Sequence, residues 1–145
     1  MAGHRYDLKD DHFVEEWNAA DKGRVVQALR RCLRTGGTVV GAFARSDLVG
    51  FASVEGTPFG AKQEYLELSF IHVSCERRKR GIGRRLFELC CEAAKREGAR
   101  KLYIGAHPSE DTQRFYRSLG CTLATEINEA IHAREPLDIQ LEFTV

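Results

Sequence analysis

The residues best equipped for chemistry stand together in Arg77-Arg78-Lys79-Arg80-Gly81-Ile82-Gly83-Arg84-Arg85, a run of cations broken by two glycines. Glycine lets the backbone take positive φ or approach an oxyanion closely. The N–H groups of such a turn can then share one anion with the start of a following helix. Phosphate is the natural occupant. A nucleoside triphosphate loop would need Lys-Ser or Lys-Thr after the last glycine, and here Gly83 runs into Arg84-Arg85. A dinucleotide fingerprint would need a third glycine, which is absent. A solvated run facing a polyanion such as nucleic acid fits the same cations and stays open on these residues alone.

The elements around the turn argue for a built site. Before it, Leu66, Leu68 and Phe70 alternate with Glu67 and Ser69, and then the apolar phase slips by one to Ile71 and Val73. A slip of one in a period-two pattern is what a β-bulge leaves, and it places a bulge near Phe70 and Ile71. A straight strand buried on both faces is the other reading. The bulge would splay the strand from its neighbour and leave backbone groups open to an extended ligand. After the turn, Ile82, Leu86, Leu89, Cys90, Ala93 and Ala94 recur at helical spacing with Gly98 as the stop, and Arg84 with Glu88 and Glu92 with Arg96 make pairs on the wet face. Lys101 to Ala106 reads as the next strand. Strand, turn, helix and strand form a βαβ unit, with the ligand expected at the carboxyl end of the first strand.

The strand ending in Val73-Ser74, the Arg-x-x-Gly-x-Gly turn from Arg78 to Gly83, and the later Phe115-Tyr116-x-x-Leu119-Gly120-Cys121 resemble the GCN5-related N-acetyltransferase (GNAT) superfamily over residues 38–145. The resemblance implies an α/β mixed sheet of the acyl-CoA N-acyltransferase fold, with a central bulged strand and the βαβ unit as the cofactor unit. It further implies acetyl-CoA as acyl donor and direct transfer to a primary amine in a ternary complex. Carried onto this chain, Arg78, Lys79, Arg80, Gly81, Ile82, Gly83 and Arg84 would surround the pyrophosphate, mainly through main-chain N–H groups. Ile71, His72 and Val73 would offer backbone groups to the acetyl carbonyl and the pantetheine amides. Ser109, with Thr112 in the same helical turn, stands where the family often carries Asn, and Ser109 also reads as the N-cap of a helix from Glu110 to Leu119 closed by Gly120.

Tyr116 would be the general acid that protonates the departing thiolate, since a phenol of ordinary pKa near ~10 is neutral and able to donate at physiological pH. Glu67, on the polar phase of its strand, falls where the histone acetyltransferase branch carries a glutamate base. A base is needed because an alkylammonium has no lone pair for attack. Glu64 and His72 are reserves, and His107 before Pro108 would shape its loop. Glu64, Glu67, Glu126 and Glu129 could form a negative lip for a cationic acceptor, with Tyr6 and Trp17 as further candidates for lining it. The acceptor class, whether small amine, polyamine, aminoglycoside, peptide N-terminus or lysine, is not written in these motifs. A CoA-binding sensor without turnover and a basic-patch nucleic-acid protein are the competing functions.

Composition bounds the rest. At 145 residues with 43% hydrophobic content the chain suits one domain with one core, and its formal charge of +1 argues against a protein built around nucleic acid. Cys32, Cys75, Cys90, Cys91 and Cys121 have neither disulfide nor zinc spacing, so no metal is expected. The odd count without a secretory leader suggests the cytoplasm, and no apolar run approaches the ~20 residues of a membrane span. A helix from Asp21 to Arg34 with Val25, Val26, Leu29 and Leu33 inward, a hairpin of Thr38 to Arg45 and Leu48 to Glu55 across Ser46-Asp47, and a strand from Asp138 to Phe143 complete the expected sheet. Glu126 to Pro136 reads as a charged connection able to close over an acceptor. Residues 1–20 look too short and polar for the strand and helix with which this superfamily usually opens. A sheet edge left bare there could pair with a second copy, which makes a homodimer an option.

Overall fold

A computed structural model gives the fold and describes residues 19–74 and 80–145. Tyr6, Trp17, Cys75, Arg77, Arg78 and Lys79 therefore lie outside the described residues. Ten elements follow in chain order: α1 (Ala19–Arg34), β1 (Thr38–Ala44), β2 (Asp47–Val54), β3 (Tyr65–Val73), α2 (Ile82–Arg96), β4 (Lys101–Ala106), α3 (Glu110–Leu119), β5 (Thr122–Leu123), α4 (Glu129–Arg134) and β6 (Ile139–Thr144). The strands form one mixed sheet in the order β1-β2-β3-β4-β6-β5, in which only β3 and β4 are parallel. No helix among the described residues is long and apolar enough to cross a membrane.

The apolar periodicity of each helix decides which face of the sheet it covers. Leu86, Phe87, Cys90 and Ala94 of α2 and Tyr116 of α3 join Leu66, Leu68, Leu102, Ile104 and Leu141 in one cluster, while Val25, Leu29 and Cys32 of α1 meet Val39, Leu48 and Phe51 on the opposite face. Of the four residues expected inward on α1, Val25 and Leu29 are buried, Leu33 packs part-way, and Cys32 takes the place given to Val26. Gly50 lets α2 sit close to the sheet, because a Cβ there would stand 2.9 Å from the His72 carbonyl and 3.3 Å from Leu86.

The β1–β2 hairpin turns at Arg45-Ser46, one residue before the expected position, with Arg45 at φ 59°. Lys101–Ala106 and Glu110–Leu119 keep the expected bounds. Ser109 Oγ accepts from the Thr112 N–H at 3.3 Å, and Gly120 closes α3 at φ 96°. On the wet face of α2 it is Arg85, rather than Arg84, that pairs with Glu88 at 3.3 Å, and it also reaches Glu92 at 3.6 Å. The charged connection contains the unanticipated α4, capped by Asn128, whose Oδ1 accepts from the Ile131 N–H at 3.0 Å. The Tyr103 hydroxyl fixes this segment by donating to Gln140 and accepting from the Asn128 N–H at 2.9 Å.

The bulge exists and lies one residue earlier than expected. Ser53 faces Phe70 and Val54 faces Leu68, so Ser69 is the extra residue of β3. Leu66, Leu68, Ile71 and Val73 consequently share the α2 face, and Phe70 turns to the α1 face against Phe51. The physical reason is polar. Ser69 Oγ bonds the Ser53 hydroxyl at 2.7 Å and donates to the Glu55 carboxylate, so the unpaired position falls where its side chain is satisfied.

Candidate active site

The site begins where β3 and β4 part. Their parallel pairing covers Tyr65↔Lys101, Leu66↔Leu102 and Glu67↔Tyr103 and then stops, although β3 continues to Val73 and β4 to Ala106. On its other edge β3 stays paired with β2 through Ile71↔Ala52, His72↔Phe51 and Val73↔Gly50. The result is a wedge through the sheet. One wall is the β3 backbone from Leu68 to Val73, and Glu67 marks its apex. An extended chain entering such a wedge can hydrogen-bond to backbone in the manner of an added strand.

At the open end of the wedge, α2 starts from Gly81 at φ 80° with no side-chain cap and no acidic residue in its first turn. Its first N–H groups and macrodipole therefore favour an anion. A Cβ on Gly81 would touch nothing, so the left-handed φ is what requires glycine there. Gly83 has a different reason. A Cβ would meet the Phe115 ring at 3.1 Å, so the packing of α2 against α3 requires glycine at this position. Ile82 is half-buried against the core, Arg80 is exposed, and Arg84 reaches the Ser118 carbonyl at 3.3 Å, bracing α3. Ser109 and Thr112 are joined at the head of α3, Oγ to Oγ1 at 2.9 Å, which makes capping the role the structure gives them. His107 Nδ1 accepts from the Ser109 N–H at 3.1 Å and so shapes the loop, as expected.

Tyr116 is buried on the α2–α3 side of the sheet and its hydroxyl makes no hydrogen bond among the described residues. Burial, and then the neighbouring Cys121, Cys90 and Asp138, push its pKa far up, so the phenol is protonated at neutral pH. Glu67 points to the opposite face, into a cavity of about 1070 Å³ bounded by α1, the middle of β3, Gly105, α4 and the approach to β6. Its carboxylate meets the Arg134 guanidinium at 2.9 Å. Burial raises its pKa, Arg134 opposes that, Glu55 adds to it, and the balance lies above the ordinary glutamate value. His72 packs its ring 5.7 Å from Phe51, beside α1.

Several expected residues stand elsewhere. Glu64 faces Lys101 at 3.8 Å and Glu126 accepts from the Ala61 N–H at 2.7 Å, and neither they nor Glu129 line the cavity. Its charged lining consists of Glu67, Glu135 and Asp138 with Arg24, Arg31 and Arg134, so the negative lip gives way to a mixed wall. Arg134 and Asp138 are the functional candidates that the sequence reading missed. The one signal was the charged connection expected to close over an acceptor, which does contribute Ile131, Arg134 and Glu135 to the cavity.

Covalent catalysis by thiol finds no support among the described residues. Burial pushes Cys32 and Cys121 up to about 12 and Cys91 up to about 11, and Cys90 higher still, so none is a thiolate at neutral pH. No group of three or more His, Cys, Asp or Glu able to hold a metal occurs among the described residues.

No curated protein matches the chain. Among solved structures it is similar to an acetyltransferase of the GNAT family from Desulfovibrio desulfuricans described as putative, with a TM-score of 0.70 and 20% identity over 91% of this chain and 85% of that one. It is also similar to the PaiA N-acetyltransferase of Thermoplasma acidophilum in complex with coenzyme A, with a TM-score of 0.65 and 20% identity over 86% and 71% of the two chains. A GNAT family acetyltransferase from Elizabethkingia anophelis with acetyl-CoA bound gives a TM-score of 0.62 and 21% identity over 82% of each chain. These likenesses establish the fold. The model of the acetyltransferase (GNAT) family matches residues 4–121, most of the sequence, and with the parted strands and the uncapped helix at their mouth it settles the kinship: this chain belongs to the GNAT acetyltransferase family.

Proposed function

We propose that the protein is an acetyl-CoA-dependent N-acetyltransferase that moves the acetyl group directly to a primary amine held in the cavity. The observation that carries this reading is the loss of β3–β4 pairing after Glu67↔Tyr103, which opens backbone on one side of the sheet to the cavity on the other. The pantetheine arm lies along Ile71, His72 and Val73, and the pyrophosphate sits over Gly81 at the start of α2. Arg78, Lys79, Arg80 and Arg84 supply the surrounding positive charge. Family members solved with coenzyme A or acetyl-CoA bound support this choice of donor.

The chemistry then divides by face. From the cavity side Glu67 accepts a proton from the acceptor ammonium, aided by a pKa already above the usual glutamate value. To do so it exchanges its contact with Arg134 for the ammonium, which is feasible because the Arg134 side chain is 60% exposed. From the other face Tyr116, kept neutral by burial, gives its proton to the sulfur as the C–S bond breaks. Release of free thiol from acetyl-CoA with a panel of amines tests the reading. Activity should fall strongly in Tyr116→Phe and Glu67→Gln while acetyl-CoA binding survives. Binding without turnover on any amine would mean a sensor. Absent acetyl-CoA binding together with tight, steeply salt-dependent DNA binding would replace the reading with the polyanion one.

A further inference from the structure

An acceptor ammonium reaches Glu67 only by displacing the group already there. The Arg134 guanidinium meets that carboxylate at 2.9 Å, and both side chains line the cavity. A plain monoamine would trade one ion pair for another and leave the arginine without its anion. An amine that carries an anion of its own trades one pair for two, since its ammonium takes Glu67 and its anion takes the released guanidinium. The guanidinium presents parallel N–H groups in a planar fork, which matches the paired oxygens of a carboxylate or a phosphate.

We propose that the acceptor is an amine that also carries an oxyacid group, carboxylate or phosphate, and that it binds by inserting between Glu67 and Arg134 with its anion on the side of the α1 arginines. This inference rests on the acetyltransferase reading above, which sets the ammonium at Glu67, and goes beyond it by naming the class of amine.

The wall of the cavity sorts by charge as such a ligand requires. Val25, Leu29 and Cys32 of α1 pack against the sheet, so Arg24, Ala28 and Arg31 run along the border of that buried stripe and face the cavity. Arg24 and Arg31 stand two helical turns apart, about 10.5 Å along the axis. Among the described residues α1 brings these two cations to the lining and no acid. The sheet brings the opposite sign, with Glu67 on β3 and Asp138 immediately before β6. Arg134 at the end of α4 and Glu135 after it add one charge of each kind. The charged lining is thus balanced in sum and polarised in place.

That arrangement discriminates. A polyamine anchored at Glu67 would carry its further cations toward Arg24 and Arg31, a like-charge juxtaposition that works against it. An acceptor with an anion at its other end meets cations on α1 and α4 alike. The cavity volume of about 1070 Å³ admits acceptors from a single amino acid to a short peptide or an amino sugar phosphate.

The full chain is assayed by thiol release from acetyl-CoA on matched pairs of amines. The standard α-amino acids, β-alanine and a set of dipeptides are each compared with the corresponding C-terminal amide, and phosphoethanolamine and glucosamine 6-phosphate with ethanolamine and glucosamine. Spermidine serves as the polycation. An α-amino amide holds more free amine at neutral pH than its acid, so a preference for the acid runs against basicity. In the best pair the anionic member should exceed its neutral partner in kcat/KM by about tenfold or more, chiefly through KM. The carboxylate and phosphate arms tell the two oxyacids apart. Arg134→Gln should cut that preference by about tenfold, Arg134→Lys should keep part of it, and Arg31→Gln should cut it by about threefold. Acetyl-CoA affinity reports the fold of each variant, and Arg31→Gln carries the comparison by itself where a substitution at Arg134 does not fold. Pairs acetylated within about threefold of each other throughout, spermidine as the best acceptor, or a preference that both Gln variants leave unmoved overturns this inference alone. A wild type that binds acetyl-CoA and acetylates no amine overturns the acetyltransferase reading first.

Discussion

Tyr116 and Glu67 occupy opposite faces of one sheet, and their surroundings bias them in ways suited to opposite tasks. The phenol is 6% exposed and stays protonated through the whole range in which an amine can react. Tyr116→Phe should therefore lower kcat by about 10²-fold or more and leave acetyl-CoA affinity within about threefold, as measured by calorimetry and thiol release. The wild type should show no alkaline limb from this residue below about pH 10. Glu67 predicts the acid limb. Its pKa lies above the ordinary glutamate value, so the active carboxylate is lost as pH falls through that raised value, and kcat/KM should decline at a higher pH than for a solvent-exposed glutamate. Arg134 is what restrains the shift, so Arg134→Gln should move that limb further up; a limb that moves down would show that the two side chains do not pair in solution. Caps and a carboxylate on a polar strand phase were legible because they depend on near neighbours. Ser109 and Gly120 cap α3 as expected, and Glu67 stands on the cavity side of β3. Asp138 was not legible, because in sequence it is one more polar residue leading an alternating strand, and only the separation of β4 from β3 gives it a cavity to face.

At the scale of elements, the wedge needs one firm end and one open end. The firm end is a polar knot in which the Glu142 carboxylate accepts from the Tyr65 hydroxyl, from the Thr125 N–H and hydroxyl at 3.1 Å, and from Lys101 at 3.3 Å. Burial alone would raise the Glu142 pKa, but these donors bring it below the usual value. A depressed carboxylate contributes stability that is present above its unfolded pKa and is lost as pH falls through the folded one. Thermal melting between about pH 6 and about pH 3 should therefore steepen through this group, and Glu142→Gln should flatten that limb. Gly50 governs the other side of the wedge, where α2 rides on β2. Gly50→Ala drives a methyl against the His72 carbonyl and should lower stability by about 1–3 kcal/mol in urea unfolding while weakening acetyl-CoA binding. The slip at Ser69 was missed by one residue because Phe70 is apolar and satisfies either face, so hydrophobic pattern alone could not date the slip. The short α4 was missed because its charged sequence draws its order from Tyr103 and Asn128, contacts that only the folded sheet creates.

At the scale of the molecule, the sheet is cohesive on both flanks and divided in the middle, so bound donor should act as the missing strand. Acetyl-CoA at about 100 times its Kd should stabilise the chain by about 2.7 kcal/mol, and hydrogen exchange should slow in Leu68–Val73 more than in the paired residues of β1 and β2. Equal protection along the whole of β3 would place the donor elsewhere. The mixed α/β fold was visible in the sequence because strand and helix periodicities are local. The acceptor wall was not, because it is assembled from α1, β3, α4 and the approach to β6, pieces far apart along the chain. That dispersion has a practical side in the six-residue α4. The helix carries Arg134 into the cavity, where it meets Glu67 at the apex of the wedge. The stretch Glu129–Arg134, between the anchoring contacts of Thr125 and Asn128 and the start of β6, is thus an exchangeable cassette. Libraries varied there alone should retune which amines are acetylated while leaving donor affinity where it was, a route to new substrate ranges by grafting one short stretch of chain.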